Sequence, residues 1–204
     1  MKYWSKKNLP IGEEPVTSEF FMREPQILEV VNNRIYFYSE VNRRDILQLN
    51  KTIRLMNNEI ITQNIITESM GSTPIILHIN SYGGGVFDGL SSMDEILNSR
   101  VPVYTIVDGC CASAATFISI AGKKRFIKKH SFMLIHQISS MMWGTYQEFV
   151  DEMENQKKLM SIIKNIYKKF TKIPMKKLEE ILKHNLWLEA EVCLGYGLVD
   201  EIID

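Results

Sequence analysis

Apolar residues recur along the chain in two alternating rhythms. The run Arg34-Ile-Tyr-Phe-Tyr38 has the aromatic and β-branched make-up of a strand. Ile46, Leu49, Ile53 and Met56 then fall three, four and three residues apart, the spacing of one helical face within Asp45–Met56. Residues 57–74 are polar around two isoleucine pairs and end in Gly71-Ser-Thr-Pro74, which predicts a connection. Ile75 to Ile79 is an apolar run suited to a buried strand. The turn Asn80-Ser-Tyr-Gly-Gly-Gly85 follows, and Val86, Leu90, Met93 and Leu97 then share a helical face. The step repeats: Val101–Val107 reads as a strand, Asp108-Gly109 as a turn, and the small residues Ala112–Ala121 as a helix. A short strand at Arg125–Ile127 precedes a buried one at Phe132–Ile135, which ends at His136. Strands and helices in succession predict an α/β fold on a parallel or mixed sheet.

Beyond residue 144 the rhythm is helical. Thr145 and Glu148 form a capping-box pattern ahead of Phe149, Met153, Met160, Ile163, Tyr167 and Phe170, a helix of about seven turns. Pro174 opens another, with Met175, Leu178 and Leu182 facing inward. Trp187 to Ile203 predicts a turn, a helix and a last strand at Leu198–Ile202. Residues 1–26 carry Pro10, Pro15 and Pro25 with little periodicity and read as an arm, which leaves 27–204 as one domain.

Composition narrows the function classes. The chain has 204 residues, 45% of them apolar, with 24 Lys+Arg against 24 Asp+Glu, so no net field draws it to nucleic acid. No apolar stretch approaches the roughly 20 residues of a membrane span, and the first thirty residues hold no secretory apolar core, so no membrane association is expected. Three cysteines, Cys110, Cys111 and Cys193, make an odd count that predicts free thiols in a reducing, cytoplasmic setting. His78 in an apolar strand and His130 beside two lysines suit structural or surface roles. Neither stands at metal-ligand spacing, so neither a metal nor a cofactor is expected. Gly83–Gly85 fit neither phosphate-loop pattern, and Phe117 stands where a P-loop ending at Gly122-Lys123 would need glycine.

The chemistry concentrates in Gly109-Cys-Cys-Ala-Ser113-Ala-Ala and in His136. A serine in the first turn of a helix after a buried strand sits where unpaired N–H groups favour developing negative charge. The plainer reading of such a serine is a helix cap. A histidine at a strand end is displayed at the rim of an α/β sheet and titrates near neutrality, so it can take a hydroxyl proton. Cys111 is an alternative nucleophile, or a small buried hydrophobe.

Four blocks, Ile79-Asn-Ser-Tyr-Gly-Gly84, Gly109-Cys-Cys-Ala-Ser113-Ala, Leu134-Ile-His136-Gln and Tyr196-Gly-Leu-Val-Asp200, resemble the signatures of the Clp protease family (ClpP, peptidase family S14). Their order and approximate spacing agree: 29 residues from Gly84 to Ser113, 23 on to His136 and 49 on to position 185. The resemblance implies a ClpP/crotonase-like fold of repeated β-β-α units with a protruding handle helix at about 145–170. It implies Ser113 as nucleophile and His136 as base, with Gly84 and Ala114 giving the oxyanion N–H groups. It further implies two stacked heptameric rings of identical subunits, enclosing a chamber for unfolded polypeptides. A separate AAA+ unfoldase of the ClpX, ClpA or ClpC type would feed that chamber.

The chain departs from the family where the third triad member is normally an aspartate. The sequence there is His184-Asn185-Leu-Trp187, so the matching residue is Asn185, whose amide oxygen can orient an imidazole without supplying charge. Glu189 and Glu191 lie close by and read as surface charges. Residues 137–144 lack the proline and paired glycines usual where a substrate strand lies, and residues 24–33 lack the usual unfoldase-docking sequence. Asn185 also motivates a rival reading, a catalytically weak or inactive ring subunit. A third, an acyl-CoA enzyme of the crotonase type, leaves the pairing of Ser113 with His136 unexplained.

Overall fold

Alternate side chains of the central strands close one face of the sheet. In the computed structural model, which describes residues 28–67 and 73–204, Ile35, Phe37, Leu77, Ile79, Val107 and Ile127 are all fully buried on one face. The strands are β1 (Leu28–Val31), β2 (Arg34–Phe37), β3 (Ile75–Ser81), β4 (Val103–Ala112), β5 (Lys124–Lys128), β6 (Phe132–Leu134), β7 (Leu188–Glu189) and β8 (Glu201–Ile203). Their order is β1-β2-β3-β4-β5-β8, with β6 beside the far half of β4 and β7 on β6. Pairing is parallel from β2 through β8, while β1 on β2 and β7 on β6 are antiparallel. The helices are α1 (Arg43–Ile66), α2 (Val86–Leu97), α3 (Ala115–Ile120), α4 (Tyr146–Phe170), α5 (Met175–Ile181) and α6 (Ala190–Gly195). The mixed α/β fold matches the expectation. The arm expected over 1–26 lies outside the described residues.

Several expectations are corrected. Helix α1 runs through Ile66 rather than ending near Met56, closed by Thr67, whose N–H and hydroxyl both donate to the Gln63 carbonyl. Its predicted face is buried as read, but Ile65 and Ile66 face solvent, so the last turns carry no apolar rhythm. On α2 the buried residues are Gly89, Ser92, Met93 and Ile96, and Leu97 is exposed. A Cβ on Gly89 would stand 2.8 Å from the Ala114 carbonyl, so the helix leans on its small residues to reach that turn.

Strand β4 continues through Asp108-Gly109 instead of turning there. Gly109, at φ +100°, kinks the strand, and β4 changes partner at this point. Its first half pairs with β5 (Tyr104↔Lys124 to Val107↔Ile127), and its second half with β6 (Cys110↔Phe132 to Ala112↔Leu134). The Gly109 N–H donates to Ser131 Oγ at 2.7 Å. Helix α3 is consequently short, starting at Ala115 rather than Ala112. The last strand begins at Glu201 rather than Leu198, because Leu198 and Val199 are buried in the preceding loop.

Helix α4 begins as predicted: Thr145 caps it, and the Glu148 carboxylate accepts from the Thr145 N–H at 2.6 Å. Of its 25 residues only Ile163 and Tyr167 are buried. Phe149, Val150 and Met153 stand exposed, so the first half of the stripe has no partner among the described residues. Arg125 anchors the far end, donating to the carbonyls of Phe170 (2.7 Å) and Gly197 (2.9 Å) and pairing with Asp200.

Candidate active site

The end of β3 and a glycine turn form one wall of the site. Val41 clamps the turn by donating to the Gly83 carbonyl (2.8 Å) and accepting from the Gly85 N–H (2.7 Å). Gly83 has φ +95°, and a Cβ there would fall 2.5 Å from the Ala112 carbonyl oxygen and 2.6 Å from Ser113 Cβ. Only glycine allows the turn to lie this close to the serine.

The second wall comes from β4 and β6. Because Ala112 pairs with Leu134, both chains leave the sheet side by side, and the Ser113 N–H donates to the Leu134 carbonyl at 2.8 Å. Ser113 is not inside a helix, as the sequence predicted, but precedes α3 at φ +54°. A non-glycine residue held there costs roughly 1–3 kcal/mol, which the surrounding bonds must offset. This conformation turns the side chain toward His136, and Ser113 Oγ lies 2.8 Å from His136 Nε2. The hydroxyl and imidazole are within proton-transfer distance.

Among the described residues, the N–H groups of Gly84 and Ala114 donate to no protein group. Both residues line the same cleft of about 50 Å³ as Ser113 and His136, with Val86 and Ile138 as apolar neighbours. A hydroxyl, an imidazole and two unengaged N–H donors therefore line one small space.

Asn185 is exposed and makes no hydrogen bond to His136. Its segment is nonetheless tied to the site: the Gln137 N–H, one residue beyond His136, donates to the Leu182 carbonyl at 2.8 Å. Glu189 and Glu191 are exposed, as read from the sequence. The three cysteines are free thiols. Cys111 is fully buried in β4, and burial pushes its thiol well above the ordinary range, which suits a packing residue rather than a nucleophile.

His78 belongs to a separate cluster on the opposite face of the sheet. Arg34 Nη1 lies 2.9 Å from His78 Nε2, and Tyr36 stacks on the ring at 4.5 Å. Asp108 Oδ2 is 3.3 Å from His78 Nδ1, and Lys128 Nζ is 2.7 Å from Asp108 Oδ1. His130 is exposed. No group of three or more potential ligands among the described residues could hold a metal ion.

Two residues not singled out as site residues reach the serine carbonyl in a relay, and Tyr167 also lines the cleft. Thr116 donates to the Ser113 carbonyl through its hydroxyl (2.6 Å) and its N–H (3.0 Å), and Tyr167 Oη lies 2.6 Å from Thr116 Oγ1. Tyr167 is 51 residues away, so no local pattern could have found it.

Comparison with known proteins gives the same answer as the residues. The Clp protease family matches residues 31–204. Proteolytic subunit 2 of the ATP-dependent Clp protease of Treponema pallidum is 30% identical over 173 residues, which is 83% of this chain and 87% of the relative. The proteolytic subunit from Deinococcus radiodurans is 31% identical over 152 residues, covering 73% and 74%. Among solved structures, an Asn-to-Asp mutant of ClpP1 from Listeria monocytogenes superposes with a TM-score of 0.71 over 84% of this chain and 91% of its own. At 24% identity it speaks for the fold. With the signature blocks in order, the fold shared and nearly the whole described length matched, this chain is a member of the Clp protease family of peptidases.

Proposed function

We propose that the chain is a serine endopeptidase subunit that cuts unfolded polypeptides to short peptides inside an oligomeric chamber. The observation that carries the reading is the 2.8 Å contact between Ser113 Oγ and His136 Nε2, facing two unengaged backbone N–H groups. Ser113 Oγ attacks the peptide carbonyl carbon as its proton passes to His136 Nε2, and the carbonyl oxygen becomes an oxyanion held by Gly84 and Ala114 N–H. The C–N bond breaks as His136 gives that proton to the leaving amine. Water then loses a proton to His136, attacks the acyl-serine ester, and releases the acid with Ser113 restored. Asn185 enters as the third member by family resemblance. Its amide is to orient the imidazolium when the site closes around substrate, since catalytic hydrogen bonds often tighten only then.

The relatives are named subunits of an ATP-dependent protease. This sequence has no phosphate loop of its own, so the reading includes a separate AAA+ unfoldase of the ClpX, ClpA or ClpC type. The exposed half of α4 is assigned to stacking two rings of seven identical subunits. Three free thiols favour a cytoplasmic location, and no helix among the described residues is long and apolar enough to cross a membrane. Casein and a short fluorogenic peptide test the activity, with the mass in solution recorded alongside. Hydrolysis lost in Ser113→Ala and in His136→Ala supports the peptidase.

A second reading, a non-catalytic ring subunit, is favoured by one observation, the absence of an Asn185–His136 hydrogen bond. An assembled ring that cleaves neither substrate supports it.

A further inference from the structure

Ser113 C=O and Ala114 N–H belong to one peptide unit, and a trans peptide is planar with these two groups pointing in opposite directions. Whatever holds the carbonyl therefore aims the N–H. The Ser113–Ala114 peptide plane turns by opposite changes in ψ of Ser113 and φ of Ala114, and neither changes the φ of +54° at Ser113. Such a rotation would turn a carbonyl oxygen toward the cleft and remove a donor from it.

Two buried hydroxyls oppose that rotation. Thr116 Oγ1 donates to the Ser113 carbonyl at 2.6 Å, which uses its single proton. Its remaining capacity is to accept, so Tyr167 O–H, 2.6 Å away, is the donor. Thr116 is fully buried and Tyr167 is 1% exposed, so neither hydroxyl has water to turn to. Burial also pushes the Tyr167 phenol further up from its ordinary value, so it stays protonated. A threonine bonding back to a carbonyl three residues earlier is common in a first helical turn. A second buried hydroxyl supplied by another element is not required by helix geometry. It comes from α4, whose buried residues are Ile163 and Tyr167, so the long helix holds the nucleophile's backbone from outside the loop.

We propose that Tyr167 and Thr116 are positioning residues: the relay Tyr167 O–H to Thr116 Oγ1 to Ser113 C=O fixes the Ser113–Ala114 peptide so that Ala114 N–H points at the substrate oxyanion. The inference rests on the serine-peptidase reading and deepens it.

The test uses the assembled full chain and four variants, Tyr167→Phe, Thr116→Val, Thr116→Ser and Ser113→Ala. Turnover of a fluorogenic peptide is measured per active site, with sites counted by fluorophosphonate labelling, alongside Tm and mass in solution. Removing an oxyanion donor outright costs about 10²–10³ in kcat, so loosening its aim should cost less: about tenfold in Tyr167→Phe and up to about a hundredfold in Thr116→Val. KM should stay within about twofold, because the lost interaction is made in the transition state. Thr116→Ser, which keeps the hydroxyl, recovers most of the Thr116→Val loss. Adding Tyr167→Phe to Thr116→Val should cost nothing further, since the relay is already broken.

A purely structural role would lower Tm or the assembled fraction and leave kcat per labelled site untouched. That result in Tyr167→Phe, or equal kcat per site in Thr116→Val and Thr116→Ser, overturns the proposal. If Tyr167→Phe fails to assemble, the Thr116 pair decides. The underlying reading fails separately, if Ser113→Ala still hydrolyses the peptide.

Discussion

Glycine at 83 is demanded twice, by its φ of +95° and by the 2.5 Å left between an added Cβ and the Ala112 carbonyl. Gly83→Ala must push the turn away from Ser113, and misplacement of about 1 Å costs on the order of a hundredfold in rate. Peptide hydrolysis by assembled Gly83→Ala protein should fall by at least that much; unchanged turnover would mean the turn does not bound the site. Asn185→Asp adds the charge that an amide lacks beside an imidazolium and should raise kcat about tenfold or more. No gain in an equally assembled variant would remove position 185 from the mechanism. Ser113 and His136 stood out because their residue types and flanking strands are local signals, and the structure brings the two side chains together at 2.8 Å. The φ of +54° at Ser113 did not, because small residues such as Ala112, Ala114 and Ala115 fit a helix equally well and hide the point where the strand ends. Tyr167 was read as part of an apolar stripe, and its hydroxyl contact with Thr116 depends on tertiary packing alone.

Elements follow the same division between local pattern and tertiary override. The buried face of α1 was read position by position, yet its last turns were missed because Ile65 and Ile66 are solvent-facing. Strand β1 escaped notice as a short edge strand with an exposed pattern, although Asn32-Asn33, with Asn32 at φ +55°, is a recognisable turn into β2. Asp108-Gly109 is a turn dipeptide used as a kink, because β4 needs two different partners on one side. An ion pair reinforces the β5–β8 ladder: Arg125 of β5 with Asp200 before β8. Partial burial pulls the Asp200 carboxyl upward, but hydrogen bonds and charge from Arg125 outweigh it and hold the group below its ordinary value. A depressed folded pKa stabilises above the unfolded value, about 3.9, and that contribution is lost as pH falls through the lower folded value. Asp200→Asn should therefore lower the urea midpoint at pH 7, with the difference from wild type shrinking only below about pH 4. A difference that vanishes already near pH 6 would assign the loss to something other than this carboxylate.

At the scale of the whole molecule, α4 is half anchored and half free. Met160, Ile163 and Tyr167 pack toward the body, whereas Phe149 (49% exposed) and Met153 (59% exposed) have no cover among the described residues. The periodicity of α4 was plain in the sequence, but a stripe that serves the core at one end and lies exposed at the other reads as a single pattern. Met153→Glu should leave Tm of the single chain nearly unchanged, because no buried contact is lost. It should sharply reduce the mass found by light scattering if the free half joins rings. An oligomer of unaltered mass would place the ring contact elsewhere. Charge neutrality and the lack of a phosphate-loop pattern gave no reason to expect nucleic-acid or nucleotide chemistry, and the proposed catalysis rests on the serine and the imidazole. The most direct measurement is active-site labelling of the assembled protein with a fluorophosphonate, mapped by mass spectrometry. Adduct confined to Ser113, and abolished in Ser113→Ala and His136→Ala, is the expected outcome; an assembled ring that takes up no label would contradict a working serine nucleophile at this site.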